Sequence, residues 1–278
     1  MAKKMLFLFV LLLSLTGMLK AQVTTAGMSG KVMADEESVI GATVVAVHEP
    51  SGTSYGTVTN VDGRFSLQGM RSGGPYKVTV SYIGYQTAIY TDIQLQLGET
   101  YSLNVTLHEA SELLGEITIT ASKSKFSAEK TGATTNISSE QLTTLPSINR
   151  SISDFTRISP YASGNSFGGR DGRSNTFTVD GANLNNNFGL SSGLPGGGNP
   201  ISLDAIDEVQ VVIAPYDVRQ ANFIGAGINA ITKSGTNAYR GSAYMYFNNE
   251  VMRGNKIGDT DFGARAEESK TVYGATFG

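Results

Sequence analysis

The stretch Tyr76-Lys77-Val78-Thr79-Val80-Ser81-Tyr82 sets Val78, Val80 and Tyr82 on one side of an extended chain and Lys77, Thr79 and Ser81 on the other. That two-residue period is the pattern of a strand with one buried face. Working outward, residues 27–109 repeat the texture in short β-branched runs at Ser29–Met33, Ala42–Val47, Ser54–Thr59, Gly63–Leu67, Tyr85–Tyr90 and Tyr101–Leu107. Asn60-Val61-Asp62-Gly63 and Ser72-Gly73-Gly74-Pro75 lie between runs, where glycine accepts a positive φ and proline fixes the entry to a turn. Together with the opening stretch these runs predict an Ig-like β-sandwich of seven strands, and the chain is expected to be mainly β.

Composition narrows the chemistry. Charged residues make up 16% of the chain while glycine supplies 33 of its 278 residues; the usual charged share is ~25%, so turns and strands are favoured over a helical enzyme. The chain has no Cys, which removes disulfide frameworks and thiolate metal or iron–sulfur sites. A zinc peptidase needs two or three ligands on rigid elements plus a general base, and His48 and His108 have no ligand-spaced partner. Both are expected on strand surfaces, Asp62 is read as a turn residue, not a calcium ligand, and no catalytic, metal or cofactor residue is assigned. A formal charge of −3 and a pI near 5.5 offer no dense basic surface, so nucleic acid is not an expected partner.

At the N-terminus, Lys3 and Lys4 precede the apolar run Met5–Leu15, and a polar stretch leads to Ala21. This is the order of a secretory signal peptide, with cleavage expected after Ala21. As a helix the apolar run rises only ~16 Å, about half of a bilayer's ~30 Å core, which argues against an anchor. No Cys follows to carry a lipid, and no later run approaches ~20 apolar residues, so any membrane crossing must be made by strands.

Past the sandwich, Ser111-Glu112-Leu113-Leu114-Gly115-Glu116-Ile117-Thr118-Ile119-Thr120-Ala121 precedes the polar run Ser122–Lys130. Such an alternating patch in a linker can add as an extra strand to a partner's sheet edge; the other reading makes Glu116–Thr120 the first strand of the next domain. Downstream, Ser138-Ser139-Glu140-Gln141 offers a helix cap ahead of Leu142, Leu145 and the stop at Pro146. A second short helix fits Ile152–Ile158 before Pro160. Phe167-Gly168-Gly169-Arg170-Asp171-Gly172-Arg173-Ser174-Asn175 leads to a strand at Thr176–Val179 and a turn at Asp180-Gly181. Residues 181–200 are rich in Gly and Asn, suited to a loop at a surface or a ligand. A helical turn is expected at Ile201–Ile206 and a strand at Glu208–Ile213. Gly225-Ala226-Gly227-Ile228-Asn229-Ala230 satisfies G-x-G-x-x-A, but Ile231-Thr232 and Gly235 follow too soon for a dinucleotide site's helix, so close strand packing is expected.

In Tyr239–Asn248, Tyr239, Gly241, Ala243, Met245 and Phe247 share one face, and Arg240, Ser242, Tyr244, Tyr246 and Asn248 the other. Lys270–Phe277 alternates again, with Thr271, Tyr273, Ala275 and Phe277 aligned. Ten alternating residues with interfacial tyrosines match one transmembrane barrel strand, and the charge-rich Glu250–Lys270 segment a water-exposed loop. An open hairpin leaves backbone groups unpaired in lipid, so the chain is expected to be the N-terminal part of a longer, truncated barrel.

These segments carry a family resemblance. Gly41-Ala42, the Thr59–Leu67 hairpin and Ser81-Tyr82-Ile83-Gly84-Tyr85 resemble the carboxypeptidase-regulatory-like domain. Glu116, Ile117, Thr118, Ile119 and Thr120 resemble the TonB box of outer-membrane receptors. Gly168-Gly169-Arg170, Phe177-Thr178-Val179-Asp180-Gly181, Ile201–Val212, Ala214–Arg219 and Gly225–Gly235 are similar to the plug of TonB-dependent receptors of the Oar-like type. The resemblance implies a signal peptide at 1–21, a regulatory-like sandwich at 22–109, a linker with a TonB-box-like segment at 110–130, an α+β plug at 131–236 and the start of an outer-membrane β-barrel at 237–278. It also implies uptake of an oligosaccharide, peptide or metal chelate without bond chemistry, a TonB-type energy-transducing partner and, in some relatives, a surface lipoprotein partner. Arg170 and Arg173 are implied to lock plug to barrel. Phe167, Asn183, Asn185, Asn186, Asn187 and Phe188 are the expected ligand-side residues, since aromatic and amide groups on loops suit sugars and peptides. The rival expectation is a secreted or surface adhesion or carbohydrate-binding sandwich without transport.

Overall fold

The computed structural model describes residues 23–34, 37–109, 117–120, 133–145, 151–185, 201–215, 220, 223–252, 254–263 and 266–278. The signal peptide expected at residues 1–21 lies outside these residues. Among them no helix is long and apolar enough to cross a membrane. The chain divides into two units, Met1–Ser234 and Gly235–Gly278.

The first unit opens with β1 (Ala26–Ala34), β2 (Glu37–Ser38), β3 (Thr43–His48), β4 (Thr53–Val58), β5 (Arg64–Met70), β6 (Gly73–Ser81), β7 (Ala88–Leu95), β8 (Thr100–Ser102), β9 (Val105–Leu107) and β10 (Ile117–Thr120). One sheet centres on β1, which pairs with β2, β5, β8 and β9, and the other runs β10-β7-β6-β3-β4. Met28, Val32, Phe65 and Leu67 of the first sheet share a core with Val44, Val78, Val80 and Ile93 of the second. The inward side of the Tyr76–Tyr82 alternation is therefore the sandwich interior, except that Tyr82 leaves the strand and is partly exposed.

Several boundaries differ from the sequence reading for local reasons. Ser72–Pro75, expected as a turn, runs into β6, with Gly73 in register with Leu95. The strand expected at Tyr85–Tyr90 is displaced to Ala88–Leu95, because Ile93 and Leu95 are core residues while the amide of Tyr85 donates to the Tyr82 carbonyl at 3.2 Å in a turn. The last run splits into β8 and β9 as Leu103 crosses Gly30. His48 is not a surface histidine: it is 8% exposed, its Nδ1 lies 2.6 Å from Ser51 Oγ and its ring centroid 4.9 Å from that of Tyr76. It ends β3 on the inward side already occupied by Val44 and Ala46, and burial lowers its pKa. His108 is exposed. At the Asp62-Gly63 turn, Asn60 Oδ1 accepts from the amides of Asp62 (3.0 Å) and Arg64 (2.8 Å).

The same unit continues through β11 (Ala133–Ser138), α1 (Ser139–Thr144), α2 (Ile152–Thr156), β12 (Ala162–Ser163), β13 (Ser166–Phe167), β14 (Thr176–Val179), β15 (Ala182–Asn183), β16 (Ile206–Ala214) and β17 (Gly227–Thr232). Its sheet runs β11-β16-β17-β14-β15, with β14 and β17 parallel and the other pairs antiparallel. Gln141 Oε1 accepts from the Ser138 amide at 3.1 Å, the cap that the sequence shows. Ile137, Leu142, Phe155, Phe177, Val209, Val211 and Ile228 form its core. The glycine pattern at 225–230 runs into strand β17; Asn175 Oδ1 accepts from the Ala226 amide at 2.9 Å, and a Cβ on Gly225 would stand 2.3 Å from that oxygen.

The second unit is a hairpin of β18 (Gly241–Asn249) and β21 (Ser269–Phe277), with β19 (Lys256–Ile257) and β20 (Thr260–Asp261) in the connection. All nine residues of β18 are in antiparallel register with β21, pairing Gly241 with Phe277, Ala243 with Ala275, Met245 with Tyr273 and Phe247 with Thr271. Period-two geometry puts these pairs on one face, and Met245, Phe247, Tyr273 and Phe277 are exposed there.

Candidate functional site

Two places in the first unit combine placement with chemistry. The first is the margin of the sandwich's second sheet. Ile117, Thr118, Ile119 and Thr120 are in parallel register with Ala88, Ile89, Tyr90 and Thr91 of β7. They are neither an unpaired linker nor the first strand of the downstream sheet; they complete the sandwich. The strand propensity of Ile-Thr-Ile-Thr is what the sequence shows, whereas its docking on β7 depends on a long-range pairing. Glu116 lies outside the described residues.

The second place is a polar seam between the sandwich and β16. The β7–β8 turn, Gln96–Glu99, presents backbone and side-chain groups to Glu208, Gln210 and Asn136. The Leu97 amide lies 3.2 and 3.3 Å from the two carboxyl oxygens of Glu208, and Gln210 Nε2 donates to the Leu97 carbonyl. Asn136 Nδ2 donates to Gln96 Oε1 at 3.1 Å and Glu99 Oε1 at 3.2 Å, and Thr134 Oγ1 donates to Glu99 Oε1 at 3.2 Å. Asn229 Nδ2 extends the chain to Gln210 Oε1 (3.4 Å), and Thr178 Oγ1 donates to Asn229 Oδ1 (2.5 Å). β16 alternates Val209 and Val211 into the downstream core while Glu208 and Gln210 are buried against the turn. Burial of a carboxyl favours its neutral form: it pushes Glu208 up to about 7, against the pull of the Leu97 amide. Asp207 is also raised by burial, opposed by Lys233.

The expected ligand-side residues do not form one surface. Phe167 is 1% exposed and belongs to the downstream core; the small strand pair β12–β13 turns its ring inward. Asn185 fastens a loop, its Oδ1 accepting from the Phe177 amide at 2.6 Å and its Nδ2 donating to Thr176 Oγ1 at 3.3 Å. Asn183 is exposed, and its Oδ1 accepts from the Asn185 amide at 2.8 Å. Asn186, Asn187 and Phe188 lie outside the described residues. Arg170 is exposed, and Arg173 Nε is 3.2 Å from Asp171 Oδ1, an exposed pair. The sequence reading misses the seam; its signal is Glu208 and Gln210, which with Asp207 are the polar residues of an otherwise apolar nine-residue strand.

Comparison with known proteins bears on the first half most directly. The carboxypeptidase regulatory-like domain family matches residues 27–108. The TonB-dependent transporter Oar of Myxococcus xanthus is 23% identical over 240 residues, which is 80% of this chain and 22% of that protein. The chain thus spans about a fifth of that relative's length. Among solved structures, a cohesin–X-dockerin complex from Acetivibrio cellulolyticus overlaps 30% of this chain and 56% of that one, at 20% identity and a TM-score of 0.24. A mutant catechol 1,2 dioxygenase of Acinetobacter radioresistens overlaps 36% and 58%, at 14% identity and a TM-score of 0.26.

Proposed function

We propose that the chain belongs to an outer-membrane TonB-dependent receptor of the Oar-like type, which takes up an oligosaccharide, peptide or metal chelate through a plugged β-barrel. The observation that carries this reading is the similarity to Oar over 240 residues, well beyond the length of the regulatory-like domain. The β11–β17 region is then the plug, and the paired β18–β21 strands begin the barrel. Nine-residue strands with an exposed apolar face have the length and pattern for that role. Transport uses force, not bond chemistry: a TonB-type protein energised at the inner membrane pairs with Glu116–Thr120 and pulls, and the plug rearranges. Arg170 and Arg173 sit on the glycine-rich segment that would face acidic groups of the barrel wall, the exposed Asn183 is the ligand-side candidate among the described residues, and a surface lipoprotein would cap the barrel from outside.

The reading is tested by titrating the chain with the purified periplasmic domain of the TonB-type protein from the same cell. Deleting Glu116–Thr120 is expected to weaken binding at least tenfold. Equal binding by the deleted chain would overturn the assignment.

A further inference from the structure

The outer face of the sandwich's first sheet gathers hydrogen-bond donors whose neighbouring acceptors are already engaged. Ser29 and Lys31 of β1 alternate with the buried Met28 and Val32, and Arg64 and Ser66 of β5 with the buried Phe65 and Leu67, so all four point away from the core. The register sets Ser29 beside both Ser66 and Ser102, and Lys31 beside Arg64. Asn104, just past β8, meets the Lys31 amide. Two rows result, Ser66, Ser29 and Ser102 in one and Arg64, Lys31 and Asn104 in the other, and all six residues line one cleft. Like charges directly opposite on a sheet repel. Yet among the described residues neither Lys31 nor Arg64 has an ion pair, and no acidic side chain lines the cleft, in a chain whose formal charge is −3. The amides add donors. Asn104 Oδ1 accepts from the Lys31 amide at 3.1 Å, and Asn60 Oδ1, also in the cleft lining, accepts from the amides of Asp62 and Arg64. Because a backbone N–H can only donate, both oxygens are fixed and the Nδ2 group of each is left to donate. Ser66 Oγ accepts from Gln68 Nε2 at 2.9 Å, which leaves its proton free in the same way.

We propose that this face of the sandwich binds an acidic saccharide, with Lys31 and Arg64 holding the oxyanion and the neutral donors holding the ring. Arg64 supplies a planar fork and Lys31 a point charge, the two usual partners of a phosphate or carboxylate group. The size of the array argues for more than a free ion. Three chain segments ~4.8 Å apart, carrying two rows ~6.8 Å apart, make a field of about 10 by 7 Å, room for one sugar ring with its charged substituent. Ser29, Ser66, Ser102 and Asn104 then face hydroxyl and ring oxygens, which accept hydrogen bonds without needing a cation. The inference goes beyond the uptake reading, because it uses sandwich residues alone and stands or falls independently of coupling and transport.

The test is an amide NMR titration of the full chain with glucose 6-phosphate, glucuronate, uncharged glucose and inorganic phosphate at low salt. The two acidic sugars are expected to shift the amides of Ser29, Lys31, Arg64 and Ser102, with uncharged glucose weaker by roughly tenfold or more and added salt weakening the acidic sugars. Asn104→Asp keeps an oxygen for the Lys31 amide and replaces the free donor with a negative acceptor, so the fold should persist while affinity for glucose 6-phosphate falls by roughly tenfold or more. Lys31→Gln with Arg64→Gln removes a like-charge pair, so it should fold at least as stably as the parent and lose the preference for acidic over uncharged sugar. Lys77→Gln, exposed on the other sheet, should bind as the parent does. No shift at these amides with either acidic sugar, or equal binding by the parent and Asn104→Asp, would overturn the site. Inorganic phosphate binding as tightly as glucose 6-phosphate would overturn the saccharide assignment, since the ring would then contribute nothing.

Discussion

Replacing Gly30 with alanine is expected to destabilise the sandwich by about 3 kcal/mol or more, at the upper end of overpacking effects. Gly30 sits mid-strand in β1, opposite Phe65 of β5. Between β8 and β9 the chain passes over it: the Leu103 amide donates to the Ser29 carbonyl at 2.8 Å, and the Lys31 amide donates to Asn104 Oδ1 at 3.1 Å. A Cβ on Gly30 would stand 1.8 Å from the Leu103 carbonyl oxygen and 2.6 Å from its carbon. Both are backbone atoms, so no rotamer change relieves the clash. Either β8 and β9 move off β1, withdrawing Leu103, Val105 and Leu107 from the core, or β1 distorts. Urea unfolding followed by tyrosine fluorescence, usable because the chain has 12 Tyr and no Trp, measures the effect. A loss below about 1 kcal/mol, the scale of ordinary surface changes, would mean that the close approach at Gly30 is wrong.

The second large effect concerns Glu208. Its folded value of about 7 lies above its ordinary 4.5 because the carboxyl is buried in the seam. Between those values the folded chain keeps a proton that the unfolded chain has released, so stability falls as pH rises through the window and levels off above about 7. The difference corresponds to roughly 3 kcal/mol at alkaline pH. Glu208→Gln keeps an oxygen for the Leu97 amide and removes the charge. The variant is expected to match the parent near pH 4.5, to exceed it by up to about 3 kcal/mol at pH 8, and to show a flatter slope between. A residual slope of the same sign should remain from Asp207, which burial also raises. Identical stability curves for variant and parent across pH 4.5–8 would show that Glu208 is not buried against Leu97.

What the sequence reveals follows the range of the interactions. The inward set at Val44, Val78, Val80, Phe65 and Leu67 is visible as local alternation, and the α1 cap is visible because Ser138 and Gln141 are three residues apart. His48 was also legible, since it shares the parity of Val44 and Ala46, but its polarity argued for the surface. Phe167 was misplaced for the opposite reason: a glycine-rich neighbourhood reads as loop, yet β12–β13 turns the ring into the downstream core. The pairing of β10 with β7 and the Leu97–Glu208 contact join positions 29 and 111 residues apart, and no local pattern specifies which sheet edge or which turn a segment meets. Within Ile206–Ala214 the local clue is Glu208 and Gln210, beside Asp207, because polar side chains inside a largely buried strand require partners.

The central claim, that residues 116–120 are gripped by an energy-transducing partner, is tested most directly inside living cells. Cysteines placed singly at Ile117, Thr118, Ile119 and Thr120 of the protein would be paired with a cysteine series in the periplasmic domain of the TonB-type protein, with Lys77→Cys on the exposed sandwich face as comparison. The account predicts disulfide-linked species joining this protein to the partner from the four strand positions and little from position 77. Absence of linked species from all four positions, or equal yield from position 77, would contradict it.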